Sequence, residues 1–268
     1  MIKIFPEKHQ IIKCVAYAFS LSILFSALYT PKIFTAEIED VLNIAYDVIY
    51  RTLPTEFKYI DQIILWLLPY ILICFTFPDI MVQEMSSTGV YIFTRKKCFT
   101  SCYFSILSKI IVISYFYTGL FVIISMLIFM TNNSFVMHGK EFVYMASIYV
   151  AIAGLFTSIM LFIENLLAMR YASHLSSSIT VSFIVIMSLI SVYTYKTPSK
   201  SAYILFVINP VSISIVDWYK DYGRILTEKS VTLWYGILYF ALIFSMLVLI
   251  GYFYVNTHDI GLVDNEED

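Results

Sequence analysis

The sequence predicts an all-α integral membrane protein: a bundle of six transmembrane helices, with an outer amphipathic helix and a broken re-entrant hairpin before the last span. Three observations predict it. Hydrophobic residues make up 60% of the 268-residue chain and charged residues only 13%, whereas a soluble domain carries about a quarter charged residues. Mean hydropathy is +0.80. Apolar stretches recur between charged flanks, each near the length of about 20 residues that a helix needs to cross the hydrocarbon core. So little polar surface cannot cover a water-facing globule, and the outside must face lipid. One membrane domain, residues 1–268, accounts for the whole chain.

The six stretches are Ile11–Tyr29, Asp61–Met81, Ile110–Met130, Phe142–Met169, Ser177–Tyr195 and Val231–Tyr254. Their many β-branched and aromatic residues would favour strands in water. In lipid each backbone group must bond within its own segment, so the solvent overrules propensity and helices are expected. Lys3, Lys8 and Lys13 ahead of the first stretch also fit a signal peptide. Ser26-Ala27-Leu28 is a poor substitute for a small-residue cleavage site, so an uncleaved span is expected. The Arg95-Lys96-Lys97 cluster and the N-terminal lysines lie close to span ends, where basic residues orient a chain most strongly. This places both termini in the cytoplasm of a multi-pass plasma-membrane protein.

Two outer segments are long enough to have structure. In Ala36–Thr52, Ile38, Val41, Leu42, Ala45, Val48 and Ile49 recur at helical spacing, while Glu37, Glu39, Asp40, Asn43 and Asp47 take the other face. That pattern is an amphipathic helix, with Thr35 as its N-cap, lying on the outer interface or against the bundle. Ala202–Val216 is apolar but too short to cross, and Asn209-Pro210 interrupts it. It reads as a broken helix pair dipping partway into the membrane. Trp218, Tyr219 and Tyr222 follow as interfacial anchors.

The residues carry no catalytic constellation. His9, His138, His174 and His258 are scattered near span ends, and Cys14, Cys74, Cys98 and Cys102 read as packing residues rather than metal ligands. No zinc-protease or nucleophile-elbow motif occurs. Gly139-Lys140 lacks the upstream glycine of a phosphate-binding loop, so no nucleotide or other cofactor site is expected in this chain. A net charge of −2 without a basic stripe speaks against nucleic acid. Inside the spans Glu164 stands out, with Asn165 beside it; near Arg170, it reads as an ion-paired or snorkelling side chain at the membrane edge. A transporter without internal ionisable groups takes its energy from outside the membrane.

Attention therefore moves to the inner connection Asp79–Lys109. Ser86-Ser87-Thr88-Gly89 is a turn or helix-start signal, and Val90, Tyr91, Ile92 and Phe93 stand immediately before Thr94-Arg95-Lys96-Lys97. An apolar plug beside a cationic edge suits docking into a soluble partner's groove; it equally suits a helix lying on anionic lipid headgroups.

The segment Glu84…Gly89-Val90-Tyr91-Ile92-Phe93-Thr94-Arg95, directly after the second span and before a long third one, resembles type-two ABC permeases. The likeness is to the small bacteriocin or lantibiotic transport and immunity permeases, and the Asn209-Pro210 break is similar to the short outer helices of that family. The stretch before the first span is shorter than the elbow helix many members carry. The resemblance implies that Glu84, Gly89, Val90, Tyr91, Ile92, Phe93, Arg95, Lys96 and Lys97 form a coupling helix seated in a separate ATP-binding subunit. That partner would bind ATP and magnesium, and a second permease chain, identical or different, would complete the assembly among membrane lipids. Export of an amphipathic peptide or a lipid-like substrate is the function it implies. A non-transporting immunity or sensor protein that binds an antimicrobial peptide is the alternative, and a lipid-modifying enzyme is a third.

Overall fold

The second helix breaks where Pro78 removes a backbone donor, and the chain resumes as a short helical stretch at 80–85. Around that break the computed structural model describes residues 6–35, 60–85, 99–129, 139–197, 199–219 and 231–257. Helix α1 spans Lys8–Thr35, α2 Ile60–Thr76, α3 Phe99–Phe129, α4 Gly139–Ala168 and α5 Ser173–Lys196. Two short helices follow, α6 at Lys200–Ile208 and α7 at Pro210–Ser214, then a 3₁₀ turn at Val216–Trp218 and the long α8 at Leu233–Thr257. The described residues are helical apart from turns and an isolated bridge between Tyr219 and Val231.

Five helices among the described residues are long and apolar enough to cross a membrane: Ile63–Met85, Thr100–Ser125, Ala146–Ala168, Ser173–Tyr195 and Leu233–Val255. The chain is thus a multi-pass, all-helical membrane protein. Helix α3 begins at Phe99 rather than near Ile110, so the connection between the second and third spans is shorter than the sequence suggests. Its two ends are drawn into helices, and Lys109 sits inside α3. The outer amphipathic helix expected over Ala36–Thr52, and Tyr222, lie outside the described residues.

Helix α4 is the axis of the bundle. It packs against α2, α3, α5, α7, α8 and the 3₁₀ turn, and 72% of its most apolar window is buried, against 11% for α8. The difference follows from the side chains. Phe156, Ile159, Leu161 and Phe162 of α4 are enclosed in the core, whereas Trp234, Leu238, Leu242, Met246, Ile250 and Phe253 run down the outer face of α8 one turn apart. A fully apolar stripe on the outside of a bundle is stable only against lipid tails.

The short helices are held by borrowed hydrogen bonds. Pro210 cannot donate, so the last carbonyls of α6 lose their in-helix partners. Tyr235 of α8 donates to the Val207 carbonyl at 3.1 Å, and Tyr239 donates to that of Ile208. Asn209 caps α7 by accepting from the Val211 amide at 2.9 Å. Its amide donates to the Met187 carbonyl (2.7 Å) and to the Ser191 hydroxyl (2.9 Å) on α5. The break expected at Asn209-Pro210 is present, and it is fastened to two long helices.

Trp218 and Tyr219 differ from expectation. Instead of anchoring at a headgroup surface, Trp218 is 0% exposed and stacks on Tyr195 at 4.8 Å. Tyr219 is equally enclosed and donates its hydroxyl to the Ile213 carbonyl. The hydroxyl has a partner inside, so the ring gains more from packing than from the interface. This packing needs Gly236: a Cβ there would lie 2.1 Å from the Tyr219 hydroxyl and 2.7 Å from its ring. Gly236→Ala is therefore expected to displace Tyr219 and destabilise the bundle by about 1–3 kcal/mol, the usual cost of overpacking. Thermal unfolding in detergent, with Tyr219→Phe/Gly236→Ala recovering little because the ring still clashes, checks this.

Candidate functional site

The end of the bundle near the α2 break gathers the groups with chemical potential. In a continuous helix the Phe77 carbonyl would accept from the Met81 amide four residues on. The bend at Pro78 parts them, and the Asn165 carboxamide of α4 fills the gap. Its nitrogen donates to the Phe77 carbonyl at 3.0 Å, and its oxygen accepts from the Met81 amide at 2.9 Å. The second nitrogen proton goes to Leu161 within α4 at 2.8 Å. Asn165 is 0% exposed and fully used. Replacing it would strand two backbone groups where water cannot reach them.

One turn beyond, Glu84 receives a charge-assisted hydrogen bond from Lys109 of α3. Lys109 is 2% exposed and Glu84 is the more open partner. The long lysine stem packs within the bundle while its ammonium finds the carboxylate. Stretch 80–85 is thus tied to α4 through Asn165 and to α3 through Glu84. Of the residues expected to couple this chain to a partner, Glu84 is placed here. Gly89, Val90, Tyr91, Ile92, Phe93, Arg95, Lys96 and Lys97 lie outside the described residues.

Glu164 requires a correction. It is neither snorkelling to the surface nor ion-paired. It is 0% exposed, and both its carboxyl oxygens lack a hydrogen-bond partner. Arg170 is exposed and lies over the Tyr171 ring at 5.7 Å. The turn and a half of helix between the two positions turns the arginine away. The polar groups facing Glu164 are the Ser177 hydroxyl, the Cys74 thiol and the Asp79 carboxylate. The Ser177 hydroxyl also lies 3.0 Å from the Ser173 carbonyl, to which it donates. Together with Lys109, this shows that ionisable side chains do lie within the spans, against the expectation that almost none do.

Sequence reasoning noticed Asn165 only as a neighbour of Glu164. Its pairing with the Phe77-Pro78 break needs the register of α4 against α2, which no local pattern carries. Lys109 read as a flank because the apolar run after it is stronger than the amphipathic turn before it. Among the described residues no three His, Cys, Asp or Glu side chains come together as a metal site. Cys14, Cys74 and Cys102 are buried and form no disulfide.

The fold and this site define a polytopic helical membrane protein with a broken second span and a broken helix pair before the last. No family model matches the chain, and comparison with curated proteins and with solved structures finds no significant similarity.

The two charges of the Glu84–Lys109 pair are unequally buried, and their variants are expected to differ. Glu84→Gln leaves the enclosed Lys109 ammonium without a counter-charge and is expected to cost about 3–5 kcal/mol. Lys109→Met leaves a carboxylate that can reach water and is expected to cost clearly less. Unfolding of the purified variants in detergent, with equal losses for both, would contradict the assigned burial.

Proposed function

We propose that this chain is the membrane-spanning subunit of an ABC transporter, exporting an amphipathic peptide or lipid-like substrate with energy from a separate ATP-binding subunit. The observation that carries the reading is the double fastening of stretch 80–85, to α4 by Asn165 and to α3 by Glu84–Lys109. This stretch leads directly into Gly89–Lys97, the apolar and basic segment that resembles a coupling helix. A push delivered to stretch 80–85 reaches α3 and α4 through these bonds. The broken pair α6–α7 between the last two long helices supports the same likeness.

In this reading α1 completes a set of six spans, both termini and the 86–98 segment face the cytoplasm, and α6–α7 dip into the outer leaflet. Two permease chains pair, each with one ATPase. ATP closes the ATPase dimer, and the coupling segments transmit that closure as a shift between inward- and outward-open packings. Nucleotide drives the shift only as far as it binds the closed state better. This chain contributes no catalytic step. Its residues shape the path and carry the motion.

The test is co-expression with the ATP-binding-cassette protein encoded beside it, followed by purification through this chain. The wild-type chain is expected to retain the ATPase. Phe93→Asp, which puts a charge into the apolar plug, is expected to lose it while still inserting into the membrane. Retention of the ATPase by Phe93→Asp, or no association with the wild-type chain, contradicts the reading.

A further inference from the structure

Glu164 stands apart from the coupling lever, and its surroundings are unusual for a carboxyl group. It projects from α4 toward the junction with α2 and α5, with no exposed surface and no hydrogen bond to either oxygen. An ionised carboxylate in a dry interior needs a counter-charge or several donors. Neither is present. From α2 and its continuation it faces the Cys74 thiol and the Asp79 carboxylate, and from α5 the Ser177 hydroxyl. Asp79 bears the same charge as an ionised Glu164 would, and it accepts from Gln83 at 2.9 Å. On α3, Lys109 is engaged by Glu84. On α5, His174 is exposed, and α8 carries no charged residue between Leu233 and Thr257.

We infer that Glu164 is a proton-binding site, occupied in this closed packing and emptied when the junction of α2, α4 and α5 opens to water. A proton fits where a metal ion would not. A cation needs several oxygen ligands, and here the neighbouring carboxamide of Asn165 is already spent on Phe77, Leu161 and Met81. A proton needs one lone pair, and the carboxyl oxygen supplies it. The chemistry is a single transfer: hydronium gives its proton to a Glu164 oxygen and leaves water, and the reverse step returns it.

Hydroxyl side chains are concentrated on the side of α5 that faces Glu164. Ser176, Ser177, Thr180, Ser188, Ser191 and Thr194 lie buried along its inner side. Most of these hydroxyls bond back to carbonyls of their own helix. The Thr180 oxygen, one turn from Ser177, has no partner. The seam ends at the Ser191–Ser212 contact of 2.9 Å beside Asn209. Between Thr180 and Ser188 the buried, apolar Ile184 interrupts it, so Ser176, Ser177 and Thr180 are the hydroxyls near Glu164. Because the proton is held only while the junction is shut, low pH favours the closed packing and high pH the open one.

The inference is tested on the full chain in lipid nanodiscs, with no ATPase present, so its outcome is separate from that of the coupling-segment experiment. Glutamates are labelled with carbon-13 and the infrared carbonyl stretch of a protonated glutamic acid is followed across pH. The wild-type chain is expected to show this band at neutral pH and to lose it on alkaline titration. Glu164→Gln, close in shape to the protonated acid, is expected to fold and to lack the band. In parallel, Cys14, Cys98 and Cys102 are replaced by Ala and the remaining Cys74 is labelled with a membrane-permeant maleimide. Labelling is expected to rise with pH beyond the rise that Glu164→Gln shows from ionisation of the thiol alone. A wild-type chain without the band at neutral pH overturns the site, whatever the variant does. Equal Cys74 labelling in the two backgrounds overturns the link to opening.

Discussion

Every backbone amide and carbonyl in the lipid-embedded part of this protein must have a partner inside the protein, and wherever a proline breaks a helix that requirement falls on a side chain. Asn165 meets it at Pro78 by standing in for one helical hydrogen bond, taking the Phe77 carbonyl and the Met81 amide at once. Asn209, Tyr235 and Tyr239 meet it at Pro210. In each case the substitute partner belongs to another long helix, or ties the break to one. The breaks are therefore the places where the bundle is stitched together. They are also where it can change shape, because side-chain bonds can be exchanged without unravelling a helix.

Such stitching suits a machine moved from one end. The stretch after the α2 break is gripped on two sides, by a carboxamide and by an ion pair, before the chain enters the Gly89–Lys97 segment. A soluble motor acting on that segment would shift α2, α3 and α4 together. The break at Asn209 connects α5 with α8 in a similar manner, so motion at one break has mechanical routes to the other. A buried carboxyl on the central helix, close to the α2 break, adds a group whose charge state would depend on whether the packing is shut. In the proposed reading these two inputs differ in kind, one a lever and the other a proton.

Much of the architecture could be read from composition and spacing. The long apolar runs located the helices, since lipid leaves the backbone no alternative, and Asn209-Pro210 marked the outer break by chemistry that is local to two residues. The start of α3 at Phe99 was hidden because its first turns are mixed in polarity and are stabilised by Lys109 meeting Glu84, a pair separated in sequence. Trp218 and Tyr219 looked like interfacial aromatics because their residue types favour that place. Only the tertiary contacts with Tyr195, Ile213 and Gly236 show them inside. Glu164 was visible as a lone acidic residue, but its isolation from Arg170 depends on how α4 turns within the bundle.

The central claim is that Asn165 completes the broken second helix as a backbone group would. Hydrogen exchange of the Met81 amide in nanodiscs measures this directly. The account predicts exchange as slow as that of amides within uninterrupted α2, although Met81 follows a proline break. Exchange at Met81 as fast as that of an unbonded amide would show that the gap is open, and would contradict it.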